Sequence, residues 1–393
     1  MSRLEELIQQ YCPDGVEYKH LGEFCEIKTG KGITKKDSDE NGNYPIISGG
    51  ITPMGYYHTF NREGNTVTIS RVGANAGLVS FIDKRFYLND KCFSVIPSDD
   101  THTKFLYYVL SAREKEIKAM QSEGGVPTIN TQKVGSIKIP IPPLPVQEEI
   151  VRILDALTEL QAELQAELQK RLQQYEYYRD KLLSFSDLSN WGGQEVSVEW
   201  KKLGDVADLL SGFPFDSTQF TSAGIRLMRG VNIKRGQLCF NENDDRYWKS
   251  TAGLEKYIVE ENDIVISMDG SLVGKSFGMV KKEHLPLLLV QRVARIRSSA
   301  FNINFIYHCI KNWFPNYVDK KKTKGAIPHI SMKDIANFPL PSLSLEEQEK
   351  IATILDRFDT LTNDLSQGLP AEIEARRKQY EYYRDKLLTF KQK

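Results

Sequence analysis

The chain has 393 residues, 40% of them hydrophobic and 26% charged, which suits two or three ordinary domains with real cores and excludes a disordered or collagen-like chain. Its 52 basic and 52 acidic residues cancel, and its five cysteines (Cys12, Cys25, Cys92, Cys239, Cys309) are odd in number, far apart and without a C-x-x-C pair, so neither a disulfide framework nor a zinc site is expected. Met1 to Gln10 carries Arg3, Glu5 and Glu6 in place of an apolar leader, and no window approaches a membrane span, so the expectation is a cytoplasmic protein.

In chain order, Val16-Glu17-Tyr18 and Leu21-Gly22 open a first block that runs to about residue 143. Thr66 to Ser70 and Ile137 to Ile139 are β-rich runs, glycines punctuate them, and Phe105 to Met120 reads as helical. The run IPIPPLP from Ile139 to Pro145 stops the last strand, and Glu148 and Glu149 suit a helix N-terminus. From Val146 to Phe185 apolar residues recur at three and four, which predicts one helix about 60 Å long. Within it TELQAELQAELQ sets Leu160, Leu164, Leu168 and Leu172 at a strict spacing of four. Such a stripe drifts by about 40° per step, which excludes a plain heptad seam.

The second half repeats the first. QYEYYRDKLL occurs at Gln174 to Leu183 and again at Gln379 to Leu388, and Gln147-Glu148, Ile150, Ile153, Leu154 and Asp155 match Gln348-Glu349, Ile351, Ile354, Leu355 and Asp356. Val198-Glu199-Trp200 and Leu203-Gly204 open a second block that ends near 341; it contains the β-rich run Ile264 to Ser267 and a helical stretch Phe301 to Trp313. Between these anchors agreement is sparse: Ile69-Ser70, Gly73 and Gly77 against Ile266-Ser267, Gly270 and Gly274, then Pro127-x-Ile129 against Pro328-x-Ile330. A second long helix follows PLPSLSLEEQ, with a break expected near Gly368 and Pro370. No single half covers so long an apolar stripe, so the two helices are expected to pair as a coiled coil; the alternative is that each lies on its own domain.

Catalytic motifs are missing. Gly270-Ser-Leu-Val-Gly274-Lys275-Ser276 has three residues between its glycines where a phosphate loop needs four, and no N-P-P-[YF], G-x-G-x-x-G or H-E-x-x-H occurs. Recognition chemistry remains. Residues 196–343 hold 21 basic against 15 acidic residues, and loops with small residues beside basic or amide ones permit close approach to phosphates and base edges. Candidates in the first block are Lys31, Lys35, Ser48, Gly49, Gly50, Arg71, Gly73 and Asn75; those in the second are Arg226, Arg229, Asn232, Lys322 and Lys324.

With its paired openings, Pro-x-Ile before the proline-rich run and duplicated QYEYYRDKLL helix ends, the whole chain resembles the DNA specificity subunit of type I restriction-modification enzymes. The resemblance implies an α+β fold: two α/β target-recognition domains in tandem (1–143 and 187–341), each followed by a long spacer helix (144–186 and 342–393), the two helices forming an antiparallel coiled coil. It implies a non-catalytic subunit in which each domain reads one half of an asymmetric bipartite site in double-stranded DNA. Two methyltransferase subunits and two motor-endonuclease subunits are the implied partners, with S-adenosylmethionine, ATP and Mg on those partners and none on this chain. Leu160, Leu164, Leu168, Leu172, Tyr175, Tyr178, Tyr380 and Tyr383 are the candidate spacer and partner-binding residues. A coiled-coil scaffold without DNA and an enzyme in its own right are the other classes, separated by duplex binding and by methyl transfer from the isolated chain.

Overall fold

The computed structural model describes residues 2–122, 125–184, 198–323, 328–364 and 367–393. The chain divides into two units, Met1–Glu167 with Ala371–Lys393, and Leu168–Pro370. The first long helix therefore lends its opening half to unit one and its closing half to unit two.

Unit one contains, in chain order, α1 (Arg3–Tyr11), β1 (Glu17–His20), α2 (Leu21–Phe24), β2 (Cys25–Thr29), β3 (Tyr44–Ile47), β4 (Tyr56–Tyr57), β5 (Thr66–Ser70), β6 (Val79–Ile82), β7 (Tyr87–Leu88), β8 (Cys92–Pro97), α3 (Thr103–Ala112), α4 (Glu114–Ala119), α5 (Thr131–Gly135), β9 (Lys138–Ile141) and the first half of α6 (Leu144–Leu183). Strands β2-β8-β5-β6 form an antiparallel sheet; β4-β3-β7 form a smaller one in which β3 and β7 run parallel; β1 pairs with β9. β5 is buried at every position, as suits a β-branched run covered on both faces. Val67 and Ile69 of β5 share a core with Phe93, Val95, Phe105, Leu110, Ile150 and Leu154.

Unit two repeats this skeleton after the second half of α6: β10 (Glu199–Lys202), α7 (Leu203–Val206), β11 (Asp208–Ser211), β12 (Ile225–Met228), β13 (Tyr247–Trp248), β14 (Ile258–Val259), β15 (Ile264–Ser267), β16 (Phe277–Met279), β17 (Leu287–Leu289), β18 (Val293–Arg297), α8 (Ile303–Lys321), α9 (Met332–Ala336), β19 (Pro339–Ser342) and α10 (Leu345–Asn363). The order β11-β18-β15-β16 reproduces the larger sheet; β13-β12-β17-β14 reproduces the smaller one with an added edge strand, again with a parallel pair, β12 and β17; β10 pairs with β19. The helical stretch expected over 301–313 extends to Lys321 across Pro315. Phe314 and Val318 are both fully buried, and that burial holds the helix together beyond a residue that would otherwise end it.

The matched sequence at each helix start anchors it to its own domain. In unit one Gln147 accepts the His102 N–H at 2.8 Å and donates to the Pro142 carbonyl at 2.7 Å, while Asp155 accepts from Lys104 Nζ at 2.7 Å and the Tyr108 hydroxyl at 2.6 Å. In unit two Gln348 accepts the Asn302 N–H at 2.9 Å and donates to the Leu343 carbonyl at 2.9 Å, and Asp356 bonds Asn304 and His308, each at 2.8 Å.

Segments of the long helices pack within each unit. In unit two the Tyr175 and Tyr178 rings of α6 lie 6.0 and 5.8 Å from the Phe358 ring of α10. Tyr175 is thus a core residue of unit two, 5% exposed. Leu160, Leu164, Leu168 and Leu172 are only half-buried, and no residue from 155 to 174 is buried. A stripe at spacing four rotates away from any one partner, so it cannot stay covered along its length.

The expected break is present: α10 ends at Asn363 and α11 (Leu369–Leu387) begins six residues beyond it, with Gly368 buried where a side chain would run into the Thr360 and Leu361 carbonyls. α11 adds no buried residue of its own, although Tyr380 and Leu387 pack against the core of unit one, with Leu388 buried in it. The last residues then close that unit on itself. Val16 N–H donates to the Lys391 carbonyl at 2.8 Å, Lys393 N–H donates to the Val16 carbonyl at 3.1 Å, and the Tyr18 hydroxyl donates to the Phe390 carbonyl at 3.0 Å. Each unit therefore owns one copy of QYEYYRDKLL, and unit one obtains its copy from the far end of the chain. Among the described residues no helix is long and apolar enough to cross a membrane.

Candidate nucleic-acid interface

Three loops meet at one end of each unit, those following β3, β5 and β7 in unit one and β12, β15 and β17 in unit two. The loop after the central strand is the matched glycine turn. Gly73 and Gly77 have φ of 94° and 91°, and Gly270 and Gly274 have φ of 100° and 85°, the left-handed region that glycine enters without strain. The second glycine of each pair also makes room for a helix: a Cβ on Gly77 would lie 3.0 Å from the Lys118 nitrogen, and one on Gly274 would lie 2.8 Å from Val318 Cβ. This packing duty explains the glycine spacing that superficially resembles a phosphate loop.

The Pro-x-Ile segments clamp these turns. Gly73 N–H donates to the Pro127 carbonyl at 2.9 Å and Ile129 N–H to the Arg71 carbonyl at 2.9 Å; in unit two Gly270 donates to Pro328 at 3.1 Å and Ile330 to Met268 at 2.8 Å. On the other side, Asn89 N–H reaches the Ile47 carbonyl at 2.9 Å and Val290 N–H the Met228 carbonyl at 3.1 Å, which ties the loops at the ends of the parallel strands together. The turn after β7 or β17 joins in through Arg71 N–H to the Lys91 carbonyl and Met268 N–H to the Arg292 carbonyl, both 2.9 Å. These bonds put Arg71 opposite Met268, Val72 opposite Asp269, Ser48 opposite Arg229 and Lys91 opposite Arg292.

The same skeleton thus carries different chemistry. Unit one has a cavity of about 360 Å³ lined by Ser48, Thr52, Ser70, Ser80, Phe81 and Tyr107, without a charged side chain. Unit two has one of about 410 Å³ lined by Arg229, Lys234, Asp269, Ser271, Gln291 and Arg292.

The candidates of unit one divide between this surface and its supports. Lys31, Lys35 and Gly50 are exposed, and Gly73 is half-exposed at the turn. Arg71 is half-buried, donating to the Asp90 carbonyl at 3.1 Å and lying 5.5 Å from the Phe93 ring. Ser48 is buried beside Asn89 while lining the cavity, and Asn75 donates to the Gly49 carbonyl at 3.0 Å; these contacts bind the loops to one another.

Two candidates of unit two are corrected. Asn232 is 0% exposed and donates to the Cys239 carbonyl at 3.3 Å and to Asp245 at 3.2 Å. Arg226 turns inward from β12 to Asp245, 3.2 Å away, with its guanidinium 4.8 Å from the Phe240 ring. A buried carboxylate needs a partner, and these residues supply it. Arg229 lines the cavity while donating to the Asp244 carbonyl at 3.0 Å. Lys322 pairs with Asp319 at 2.6 Å, holding that carboxyl below its ordinary range, and Lys324 lies outside the described residues.

Sequence reasoning misses Asp269, Gln291 and Arg292, and in unit one Lys91 and the exposed loop residues Ile51 and Val126, 83% and 63% accessible. β7 has two residues and β17 three, too short for period-two alternation to mark the turn that follows.

Opposite behaviour marks the helix ends. Tyr177 and Tyr382 are 61% and 62% exposed, and Tyr178 and Tyr383 both 38%. Each adjacent pair makes the same edge contact, at 5.3 Å and 75° in one unit and 5.4 Å and 74° in the other. Here the exposed residues are identical, whereas those around the cavities differ.

The sequence and the fold both have relatives. The family described as "Type I restriction modification DNA specificity domain" matches residues 13–174 and 195–375. The chain is 32% identical to the Escherichia coli type I restriction enzyme EcoR124I/EcoR124II specificity subunit, over 99% of this chain and 97% of that one. It is 30% identical to a putative type I restriction enzyme specificity subunit of Haemophilus influenzae, over 95% and 96%. Among solved structures, the type I restriction-modification S subunit from M. genitalium superposes with a TM-score of 0.67 at 18% identity, covering 96% of this chain and 97% of that one. A structure described by the assembly and conformational transition of the type I system superposes at 0.54 with 17% identity, covering 96% and 98%.

Proposed function

We infer that this chain, which belongs to the family of type I restriction-modification DNA specificity subunits, reads a two-part DNA sequence, one part with the loop end of each unit. The observation that carries the reading is the contrast between its two repeated surfaces. Around the cavities the skeleton is duplicated but the side chains are not: Arg71 stands opposite Met268, Ser48 opposite Arg229. Two readers built this way address two different half-sites, and the target is asymmetric, unlike that of a homodimer with identical readers.

The helix ends carry the opposite pattern. Tyr177, Asp180 and Lys181 are exposed, and so are their identical counterparts Tyr382, Asp385 and Lys386. Packing within the chain does not require solvent-facing side chains to match. A partner that docks once on each unit does, and we assign these faces to two copies of a methyltransferase subunit, with two motor-endonuclease subunits completing the cytoplasmic assembly. S-adenosylmethionine, ATP and Mg act on those subunits, and this chain contributes no catalytic group. A DNA turn of roughly 34 Å is within the reach of a 40-residue helix about 60 Å long, so α6 has the length to separate two half-sites.

The test is co-expression with the cognate methyltransferase and genome-wide mapping of modified adenines. A two-part asymmetric motif with an unread gap is expected; methyl transfer by this chain alone, or modification without a two-part motif, overturns the reading.

A further inference from the structure

Among the described residues three non-glycine backbones have positive φ: Asn65 at 54°, Asn262 at 68° and Arg292 at 73°. Asparagine enters this region readily because its short amide can bond nearby backbone; arginine has no such compensation. Arg292 is held there by its carbonyl, which accepts the Met268 N–H at 2.9 Å, and by the turn closed from Val293 N–H to the Val290 carbonyl at 3.1 Å. Packing of its own side chain does not repay the conformation, since that side chain is 62% exposed. What it has is a neighbour. Arg292 Nε lies 4.0 Å from Asp269 Oδ2, and Asp269 is itself positioned by a bridge to His329 and by the Ser267 hydroxyl, which donates to its carbonyl at 3.1 Å. Both side chains line the cavity of unit two. Non-glycine residues in sparsely populated conformations gather at functional sites, where the side chain is worth the strain.

We propose that Arg292 and Asp269 together read one G·C base pair in the half-site of unit two, the guanidinium fork donating to guanine O6 and N7 and the carboxylate accepting from the cytosine N4 amino group. The proposal rests on the specificity reading above and deepens it. Charge selects a base edge over a phosphate, because a carboxylate beside the guanidinium repels a phosphate, whereas a G·C edge presents acceptors next to a donor. Unit one has Lys91 and Val72 at the two equivalent positions, so the same base pair is not read there.

The experiment maps methylation by the complete complex carrying Arg292→Gly, Arg292→Lys or Asp269→Asn, beside the unsubstituted chain. Arg292→Gly suits the left-handed backbone, so the variant folds, and thermal unfolding verifies that it does. The unsubstituted complex should require a G·C pair at one position of one half-site. Each variant should lose preference at that position alone, by roughly 5- to 150-fold, with the other half-site unchanged. Duplexes carrying 7-deazaguanine there should be modified more slowly by the unsubstituted complex and no differently from ordinary duplexes by Arg292→Gly. A folded Arg292→Gly complex with undiminished preference at every position, full retention by Arg292→Lys, or a loss in both half-sites overturns the proposal while leaving the specificity reading in place. An unsubstituted complex that modifies no two-part sequence overturns both.

Discussion

The side-chain carbonyl of Gln348 accepts the backbone N–H of Asn302 at 2.9 Å, and because Asn302 is the N-cap of α8, this bond fastens the start of one helix to the start of another. Gln348 is 1% exposed, so water cannot take over when it is removed. Gln348→Leu should therefore destabilise the protein by about 1–3 kcal/mol, the cost of a buried polar group left without a partner. Urea unfolding measures it, and Gln147→Leu, which frees the His102 N–H in unit one, should behave alike.

Ser344 caps α10 by accepting the Glu347 N–H at 3.2 Å, while Glu347 accepts from the Ser344 N–H at 3.0 Å and hydroxyl at 2.7 Å. The side-chain and then the backbone bond from Ser344 hold the Glu347 carboxyl below its ordinary range. A depressed carboxyl contributes stability above its unfolded pKa and loses it as pH falls through the folded value. Ser344→Ala should cost about 1 kcal/mol at neutral pH, and the gap between wild type and Glu347→Gln should narrow on acidification, as thermal unfolding at a series of pH values will record.

Gly274 has φ of 85° and faces Val318 at a distance that leaves no room for a Cβ. Gly274→Ala should destabilise unit two by more than about 1 kcal/mol, since strain and overpacking add. Val318→Ala should return part of that loss in the double variant, a positive coupling readable from a double-mutant cycle.

Tyr177 and Tyr382 are accessible and outside both cores. Replacing both with Ser should leave the unfolding temperature within a few degrees, as expected for surface changes of about 0.5 kcal/mol, yet reduce co-purification of the methyltransferase. Retained co-purification would remove these faces from the docking surface.

Deleting Gln161 to Leu164 removes one repeat unit from the stretch of α6 where nothing is buried. The helix should survive, shorter by about 6 Å and rotated by about 40°. At roughly 3.4 Å per base pair, methylation mapping should find both half-site sequences kept and the gap between them shortened by one or two base pairs, or activity lost if the duplex cannot follow the rotation. New half-site sequences at the old spacing would show that this helix is not a ruler.

The long helix from its apolar spacing, the buried strands β5 and β15 and the break before Gly368 were all legible in the sequence, because each depends on residues within a few positions of one another; the duplication was legible because its copies match residue by residue. Chain direction misled the reading of the helix ends. The copy at Gln379–Leu388 reads as the end of the second half, yet Lys391 and Phe390 bond Val16 and Tyr18, and this pairing across the full length of the chain has no local signature.

Loop chemistry divides in the same way. Residue type alone identified Arg226, Arg229 and Asn232 as able to contact DNA, and it identified the glycine turns by their spacing. Whether an arginine faces solvent or a carboxylate depends on which strand lies beside it. The β12–β17 pairing and the Asp245 loop turn Arg226 inward and bury Asn232, while the clamp on Met268 turns Arg292 outward beside Asp269. Local periodicity determined the elements and their repetition; the burial of charge, which is decided only when distant segments meet and exclude water, selected the side chains left to meet a ligand.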